Sequence, residues 1–199
     1  MMRIIEPLEP GNIYHIYNRG NNGEDIFKEQ RNYYYFLQKY NEYCSPVFET
    51  YAYNLLKNHF HLIVRVKEEV MVQRKDGNGE IELNPSKQLS HFFNCYAQSI
   101  NKAYKRNGKL FEEPFKRKEV DSDSYFTFLI YYIHFNAQHH GFVKDFRDWE
   151  FTSWHTYLND EKSFLEKSSV IEWFGNKKHF IDAHLGHAVF DNISHLTLE

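Results

Sequence analysis

Cysteine is scarce in this sequence, as are other features that would place the chain outside the ordinary globular proteins. Cys44 and Cys95 are the two cysteines among 199 residues, too few for a disulfide framework. No apolar run approaches the roughly 20 residues that a membrane-spanning helix needs. We therefore expect a chain without structural disulfides and without a membrane span.

The first residues lack the pattern of a secretory signal. Residues 1–12, MMRIIEPLEPGN, have neither an apolar middle section nor a small-residue cleavage site. Together with the scarcity of cysteine, this predicts a protein of the reducing cytoplasm.

Neither sign of charge is in large excess. The chain has 24 Lys and Arg against 27 Asp and Glu, a net charge of -3 and an isoelectric point near 6.5. A protein that coats nucleic acid non-specifically is strongly basic, so the charge excludes that class and leaves room for a local basic site. Aromatic residues are abundant, at 18% of the sequence. This content predicts a globular chain with one sizeable core.

Periodicity and turn signals predict alternating strands and helices over most of the chain. The predicted elements are a strand at 11–20, a helix at 29–43, a hairpin at 47–66 turning near Lys57 and Asn58, a helix from Pro85 to about 107, an edge strand with a Pro114 bulge at 109–120, and a helix from Tyr125 to about His140. Residues 73–84, QRKDGNGEIELN, are predicted to form a flexible loop. The order predicts an α+β fold, a mostly antiparallel sheet with helices packed on one side.

The segment NHFHLIVRV carries two histidines on a predicted strand. Side chains alternate along a strand, so His59 and His61 share one face with Arg65. Two neighbouring imidazoles on one face can converge on one divalent ion. The alternative is that one histidine is a buried, hydrogen-bonded core residue and the other is solvated.

The last predicted helix, in SYFTFLIYYIHFNAQHHGFV, places Tyr132 and Asn136 one turn apart on one face. Tyr131 has Phe135 four residues on and points about 100° away. Of the two tyrosines, Tyr132 therefore shares a face with the amide.

Four segments together resemble the REP-associated branch of the HUH-type single-tyrosine transposases. They are YHIYNRGNNGEDIF, AYNLLKNHFHLIV, NGKLFEEPFKRKEV and YYIHFNAQHHGFV, and they occur in the family's order. The resemblance implies a ferredoxin/RRM-like HUH domain at residues 1–158, followed by a helical C-terminal extension at 159–199. It also implies cleavage and rejoining of single-stranded hairpin DNA through a 5′-phosphotyrosine intermediate.

The resemblance further implies the roles of individual residues. His59, His61 and Asn136 would be the metal ligands, and Tyr132 would be the nucleophile. The implied cofactor is a divalent metal ion, Mg²⁺ or Mn²⁺, because imidazole and amide ligands suit these ions.

The chain departs from the family pattern after Asn136. The family usually continues with Pro, any residue and Arg, whereas this chain has Ala137, Gln138 and His139. This departure keeps a second reading open, a catalytically inactive module that binds hairpin DNA. A zinc-dependent hydrolase using the two histidines is a third, and it requires further Asp or His ligands on other strands.

Basic residues predict where DNA would bind. A basic and aromatic segment between Lys102 and Lys118 suits phosphate contact and base stacking, although a solvated helix end and a charged edge strand would look alike. The candidate DNA-binding residues are Arg19, Arg65, Lys105, Arg106, Lys116, Arg117 and Lys118.

The predicted extension contains aromatic residues at helical spacing, Trp173, Phe174 and Phe180, which suggest packing onto the domain. Its histidines match no metal-ligand motif and are interpreted as surface residues; they are His179, His184, His187 and His195. We expect a monomer rather than a homodimer.

Overall fold

The computed structural model describes residues 7–68, 70–73 and 77–186. Six strands and six α-helices occur in these ranges: β1 (Ile13–Arg19), α1 (Gln30–Cys44), β2 (Phe48–Leu56), β3 (His59–Val66), β4 (Met71–Gln73), β5 (Glu80–Glu82), α2 (Pro85–Ala103), β6 (Lys116–Glu119), α3 (Asp123–His139), α4 (Trp154–Leu158), α5 (Lys167–Trp173) and α6 (Lys177–Leu185). Among the described residues, none of the helices combines the length and hydrophobicity needed to cross a membrane.

The central sheet has four strands in the order β2, β3, β1, β6, and every neighbouring pair is antiparallel. In the register of β1 with β3, Arg19 lies opposite His59 and Tyr17 lies opposite His61. Across β1 and β6, Tyr17 lies opposite Lys116. This register sets which side chains share a face with the histidines.

Aromatic residues fill the space between one face of the sheet and the helices α1 and α2. Phe60 of β3 contacts Phe36 of α1 and Phe93 of α2, with ring centroids 5.1 and 5.7 Å apart. The buried side of α2 is apolar and consists of Leu89, Phe92, Phe93, Tyr96 and Ile100. Its N-terminus is capped by the Asn84 side chain, which accepts a hydrogen bond from the Lys87 backbone N–H.

Helix α3 covers the opposite face of the sheet. Asn54 of β2 donates a hydrogen bond to the Ile133 carbonyl at 2.6 Å, and Tyr51 contacts Phe126 edge to face. Leu129, Ile130 and Ile133 are fully buried beneath the helix. Helix α3 therefore covers the face of the sheet that carries the histidines.

The predicted α+β class with an antiparallel sheet is confirmed, and the hairpin turns at Lys57 and Asn58 as expected. The helices were expected on one side of the sheet. Helices α1 and α2 do lie together on one face, whereas α3 lies on the opposite face. Most side chains of β3 are buried on both faces of the strand, so both faces need a cover.

Two local expectations differ from the structure. The strand expected at 109–120 begins at Lys116, because Pro114 has no backbone N–H to contribute to a ladder. It does lie at the sheet edge. The expected loop at 73–84 contains β5, which pairs with β4 in a second small sheet; residues 74–76 lie outside the described part.

The C-terminal residues up to 186 form the expected helices and pack on the domain. Phe180 is fully buried, whereas Trp173 is 45% exposed. His184 was expected at the surface, and it is instead 2% exposed because α6 turns it towards α3. His179 is exposed as expected. His187 and His195 lie outside the described residues.

Candidate functional site

The site is built on β3, where the two histidines project towards α3. His61 is 2% exposed and His59 is half-buried at the end of the strand. Their rings lie edge to face with centroids 5.2 Å apart. The strand therefore presents two imidazoles side by side, as its alternation predicts.

Helix α3 adds side chains that recur at four-residue intervals. Asn136 is fully buried, and its Oδ1 lies 3.2 Å from His59 Nε2. The Tyr132 ring, one turn earlier, lies edge to face with the His61 ring at 5.8 Å. His140, one turn later, lies 5.0 Å from the His59 ring. The helix and the strand thus bring the predicted residues Tyr132, Asn136, His59 and His61 together.

The neighbouring tyrosine points elsewhere. Tyr131 is 5% exposed, stacks on Phe135 and contacts the His184 ring at 5.6 Å. Burial raises the pKa of its phenol well above the usual value. Tyr131 therefore belongs to the packing between α3 and the C-terminal helices.

The tautomer of His59 affects what this site can bind. Its Nδ1 lies 2.8 Å from Asn58 Oδ1 and its Nε2 lies 3.2 Å from Asn136 Oδ1, so the single proton of the neutral ring can serve only one of these two acceptors. When the proton is on Nδ1, at the shorter contact, the Nε2 lone pair faces the Asn136 oxygen. Two acceptors aimed at each other form a place for a cation.

His61 is held neutral by its surroundings. Burial lowers its pKa well below the usual value of 6.5, and the neighbouring His15, His59 and His140 lower it further. Within the described residues, His61 Nε2 and Asn136 Nδ2 have no hydrogen-bond partner. A neutral imidazole with an unsatisfied nitrogen has the state that a metal ligand requires.

Sequence reasoning missed three residues beside the histidines. His15 is fully buried and lies 2.9 Å from His61 through its Nε2 and the His61 Nδ1. Tyr17 stacks with the His15 ring and with the His61 ring. His140 continues the four-residue spacing of Tyr132 and Asn136, so this spacing could have identified it from the sequence. His15 and Tyr17 could be found only with the register of β1.

A pocket of about 360 Å³ opens beside the histidines. Its lining residues come from β1, the hairpin, β6 and the end of α3: Tyr17, Asn18, Arg19, Asn58, His59, Phe60, His61, Lys116, His140 and Phe142. The pocket exposes the imidazoles next to the Tyr17 ring and two cations, Arg19 and Lys116.

Three of the predicted basic residues share this face. Arg19 lies opposite His59, Lys116 opposite Tyr17 and Lys118 opposite His15. The ammonium of Lys116 stands over the Tyr17 ring at 5.7 Å. Glu112 pairs with Arg19 at 2.6 Å and with Lys116 at 3.9 Å.

The other predicted basic residues lie elsewhere or are used within the fold. Arg65 is at the far end of β3 and pairs with Glu49. Arg117 faces α2, where it donates a hydrogen bond to Ser86. The Arg106 side chain is 12% exposed and binds Glu24, whereas Lys105 is exposed in a left-handed turn conformation with φ of 49°.

In the described ranges, no three or more His, Cys, Asp or Glu side chains are arranged to hold a metal ion. The zinc-hydrolase alternative required such a group. The set His59, His61 and Asn136 differs because its third member is an amide.

The fold and this face define an α+β protein whose antiparallel sheet carries two adjacent histidines under a tyrosine-bearing helix. No protein-family model matches the chain, and no curated protein matches it. Among solved structures, the chain is similar to a REP-associated tyrosine transposase bound to a REP hairpin. The TM-score is 0.61 at 17% identity, over 79% of this chain and 86% of that one. The chain therefore has a fold like that of the transposase.

Proposed function

We propose that this protein, a transposase or a domesticated relative of one, cleaves and rejoins single-stranded hairpin DNA through a tyrosine nucleophile. The observation that carries the proposal is the convergence of α3 on the histidine face of the sheet, with Tyr132 beside His61 and Asn136 beside His59. The fold shared with a transposase that was solved with a hairpin supports it.

Tyr132 is the proposed nucleophile. Its phenolic oxygen forms a bond to the phosphorus, and the bond from phosphorus to the 3′-oxygen breaks. The phenolic proton passes to solvent, and the leaving oxygen takes up a proton to become a 3′-hydroxyl. Rejoining is the reverse attack by a 3′-hydroxyl on the phosphotyrosine, so the energy of the phosphodiester is kept and no nucleotide cofactor is consumed.

His59, His61 and Asn136 would hold a divalent ion, Mg²⁺ or Mn²⁺. With the His59 proton on Nδ1, His59 Nε2 and Asn136 Oδ1 are facing acceptors, and together with the unsatisfied His61 Nε2 they fit such a ligand set. When bound, the ion would polarise the scissile phosphate and stabilise the charge that develops on it.

The rim of the pocket would hold the DNA strand. Arg19, Lys116 and Lys118 would contact phosphates, and Tyr17 would offer a ring for base stacking. These residues surround the histidines on one face, which supports binding of DNA across the site.

One chain supplies the whole proposed set. The sheet with His59 and His61 and the helix with Tyr132 pack on each other within the described chain. This supports action as a monomer, which equilibrium sedimentation with and without hairpin DNA would test.

The test of the function is capture of a covalent complex. The protein is incubated with end-labelled single-stranded hairpin DNA from the flanks of its own gene, with Mn²⁺ or Mg²⁺, and run on a denaturing gel. We expect a protein–DNA band that disappears in Tyr132→Phe and persists in Tyr131→Phe, the matched control. Tight hairpin binding without a covalent band under either metal would instead favour the inactive binding module.

A further inference from the structure

His15 lies within hydrogen-bond distance of His61, and neither the sequence motifs nor the proposed mechanism assigns it a role. It lies on β1, diagonally across from His61 on β3, and its Nε2 is 2.9 Å from His61 Nδ1. The two rings are nearly parallel, at 17°, and both are buried. A hydrogen bond in such a place is shielded from water and is strongly directional.

The protons of this pair can be counted. Two neutral imidazoles share one hydrogen bond, so one ring donates and the other accepts. If His61 Nδ1 donates, its Nε2 keeps a lone pair. If His15 Nε2 donates, His61 Nε2 carries a proton and cannot bind a metal. The direction of this one hydrogen bond therefore decides what His61 offers to the site.

Burial and stacking fix the position of the His15 ring beside His61. It is 0% exposed, and Lys118 lies directly opposite it across β1 and β6. Tyr17 stacks on the ring at 4.7 Å and limits its rotation.

We propose that His15 is a positioning residue that accepts the Nδ1 proton of His61 and thereby holds the His61 Nε2 lone pair ready for a metal ion. The importance of this role for metal binding rests on the proposed function, while the tautomer itself does not. Histidine ligands of metals commonly donate their other ring N–H to such a partner, and loss of the partner typically weakens metal binding.

The first experiment measures the tautomer without metal or DNA. The full chain is labelled with ¹⁵N-histidine, and the long-range proton–nitrogen spectrum identifies which nitrogen of His61 carries the proton. We expect the Nδ1–H form in the wild type. A protonated Nε2 in the wild type would overturn the proposal, as would an unchanged His61 pattern in His15→Phe, which keeps an aromatic ring and removes the acceptor.

The second experiment measures Mn²⁺ binding by calorimetry. We expect affinity to fall by about 10- to 100-fold in His15→Phe and to recover to within a few-fold in His15→Gln, whose amide oxygen can accept the Nδ1 proton. His184→Gln is the matched control, because it alters a buried histidine pair remote from this face. Equal weakening by Phe and Gln would overturn the positioning role.

Failure of the proposed function has a different signature. If His61→Ala binds Mn²⁺ as well as the wild type does, the proposed metal site is wrong, and the nitrogen spectrum still decides whether His15 sets the tautomer. If His61→Ala loses Mn²⁺ while His15→Phe keeps it, the inference about His15 alone is wrong.

Discussion

Two pairs of buried histidines in this protein have the same spacing and different surroundings. His15 and His61 lie 2.9 Å apart in the sheet, and His134 and His184 lie 2.9 Å apart between α3 and α6. In the helix pair, each ring nitrogen has a partner: Ser153 Oγ at one end and the Phe180 carbonyl at the other. In the sheet pair, His15 Nδ1 and His61 Nε2 have none within the described residues.

The helix pair has only one consistent arrangement of protons. The Phe180 carbonyl can only accept, so His184 donates to it through Nδ1 and receives the His134 Nδ1 proton at Nε2. His134 Nε2 then receives the Ser153 hydroxyl proton. This chain is complete without any ligand, and we interpret it as structural.

The sheet pair ends in unsatisfied nitrogens, which a stable core avoids unless they are used. The adjacent tyrosines follow the same division, since Tyr132 faces His61 and Tyr131 faces His184. Satisfaction of hydrogen bonds, more than burial, therefore separates the two regions. Predictions that compare matched substitutions in the two pairs can test this interpretation.

The largest expected difference is in DNA cleavage. His61→Leu should reduce formation of the covalent DNA complex by at least about 100-fold, because a proposed metal ligand is lost. His184→Leu should leave the complex detectable at a rate within about tenfold of the wild type. Single-turnover gels with excess protein would measure both rates, and equal losses would contradict the division of roles.

The order should reverse for stability. His134→Leu removes both hydrogen bonds of that ring and leaves the buried His184 Nε2 without its partner, so it should cost about 2–4 kcal/mol of unfolding free energy. His61→Leu removes one hydrogen bond and also an unsatisfied nitrogen, and should cost about 1 kcal/mol. Urea unfolding followed by circular dichroism would compare the two variants. A larger loss of unfolding free energy in His61→Leu would contradict this interpretation.

In acid the two pairs should behave alike, because proton linkage depends on burial. Burial lowers the pKa of His184 to about 4 and that of His15 to about 3, so the unfolded chain binds protons first as the pH falls below 6.5. Stability is therefore present above pH 6.5 and is lost towards pH 4, by about 1.4 kcal/mol per pH unit for each such histidine.

Urea melts at pH 7, 6 and 5 would measure this slope. The slope should be shallower in His184→Leu and in His15→Phe, each of which lacks one of the buried histidines. An unchanged slope in either variant would show that the ring is not held neutral in the folded protein.

The smallest expected effect concerns the charge around the sheet pair. Glu112 pairs with Arg19 and Lys116 beside the pocket, so Glu112→Gln should strengthen binding of single-stranded hairpin DNA by roughly two- to fivefold at low salt. Glu49→Gln, which frees Arg65 at the far end of β3, is the control and should have less effect. Fluorescence anisotropy over a salt series would detect the difference, and equal gains would argue for a purely global charge effect.

Much of the architecture could be predicted from local patterns. The alternation of NHFHLIVRV predicts which side chains share a face, and the four-residue spacing in α3 selects Tyr132 over Tyr131. The departures occur where a distant contact decides. Helix α3 crosses to the other face of the sheet, and His184 is buried because α6 packs against α3.

The candidate site shows the same limit. The histidines and Asn136 belong to motifs that can be read along the chain, and their roles as ligands stay a prediction. His15 carries no local signal, because its partner is 46 positions away and the contact depends on the register of β1 with β3. The basic residues were identified by composition, which does not specify that Arg117 faces α2 while Lys116 and Lys118 face the histidines.

By itself, the sequence determined the elements, their amphipathic faces and the residue types available for chemistry, because these depend on periods of two and 3.6 residues within single segments. The tertiary structure decided which nitrogens are satisfied. A histidine hydrogen bond spans about 3 Å between groups from different elements, so only strand register and helix packing could complete one pair with Ser153 and Phe180 and leave the other open.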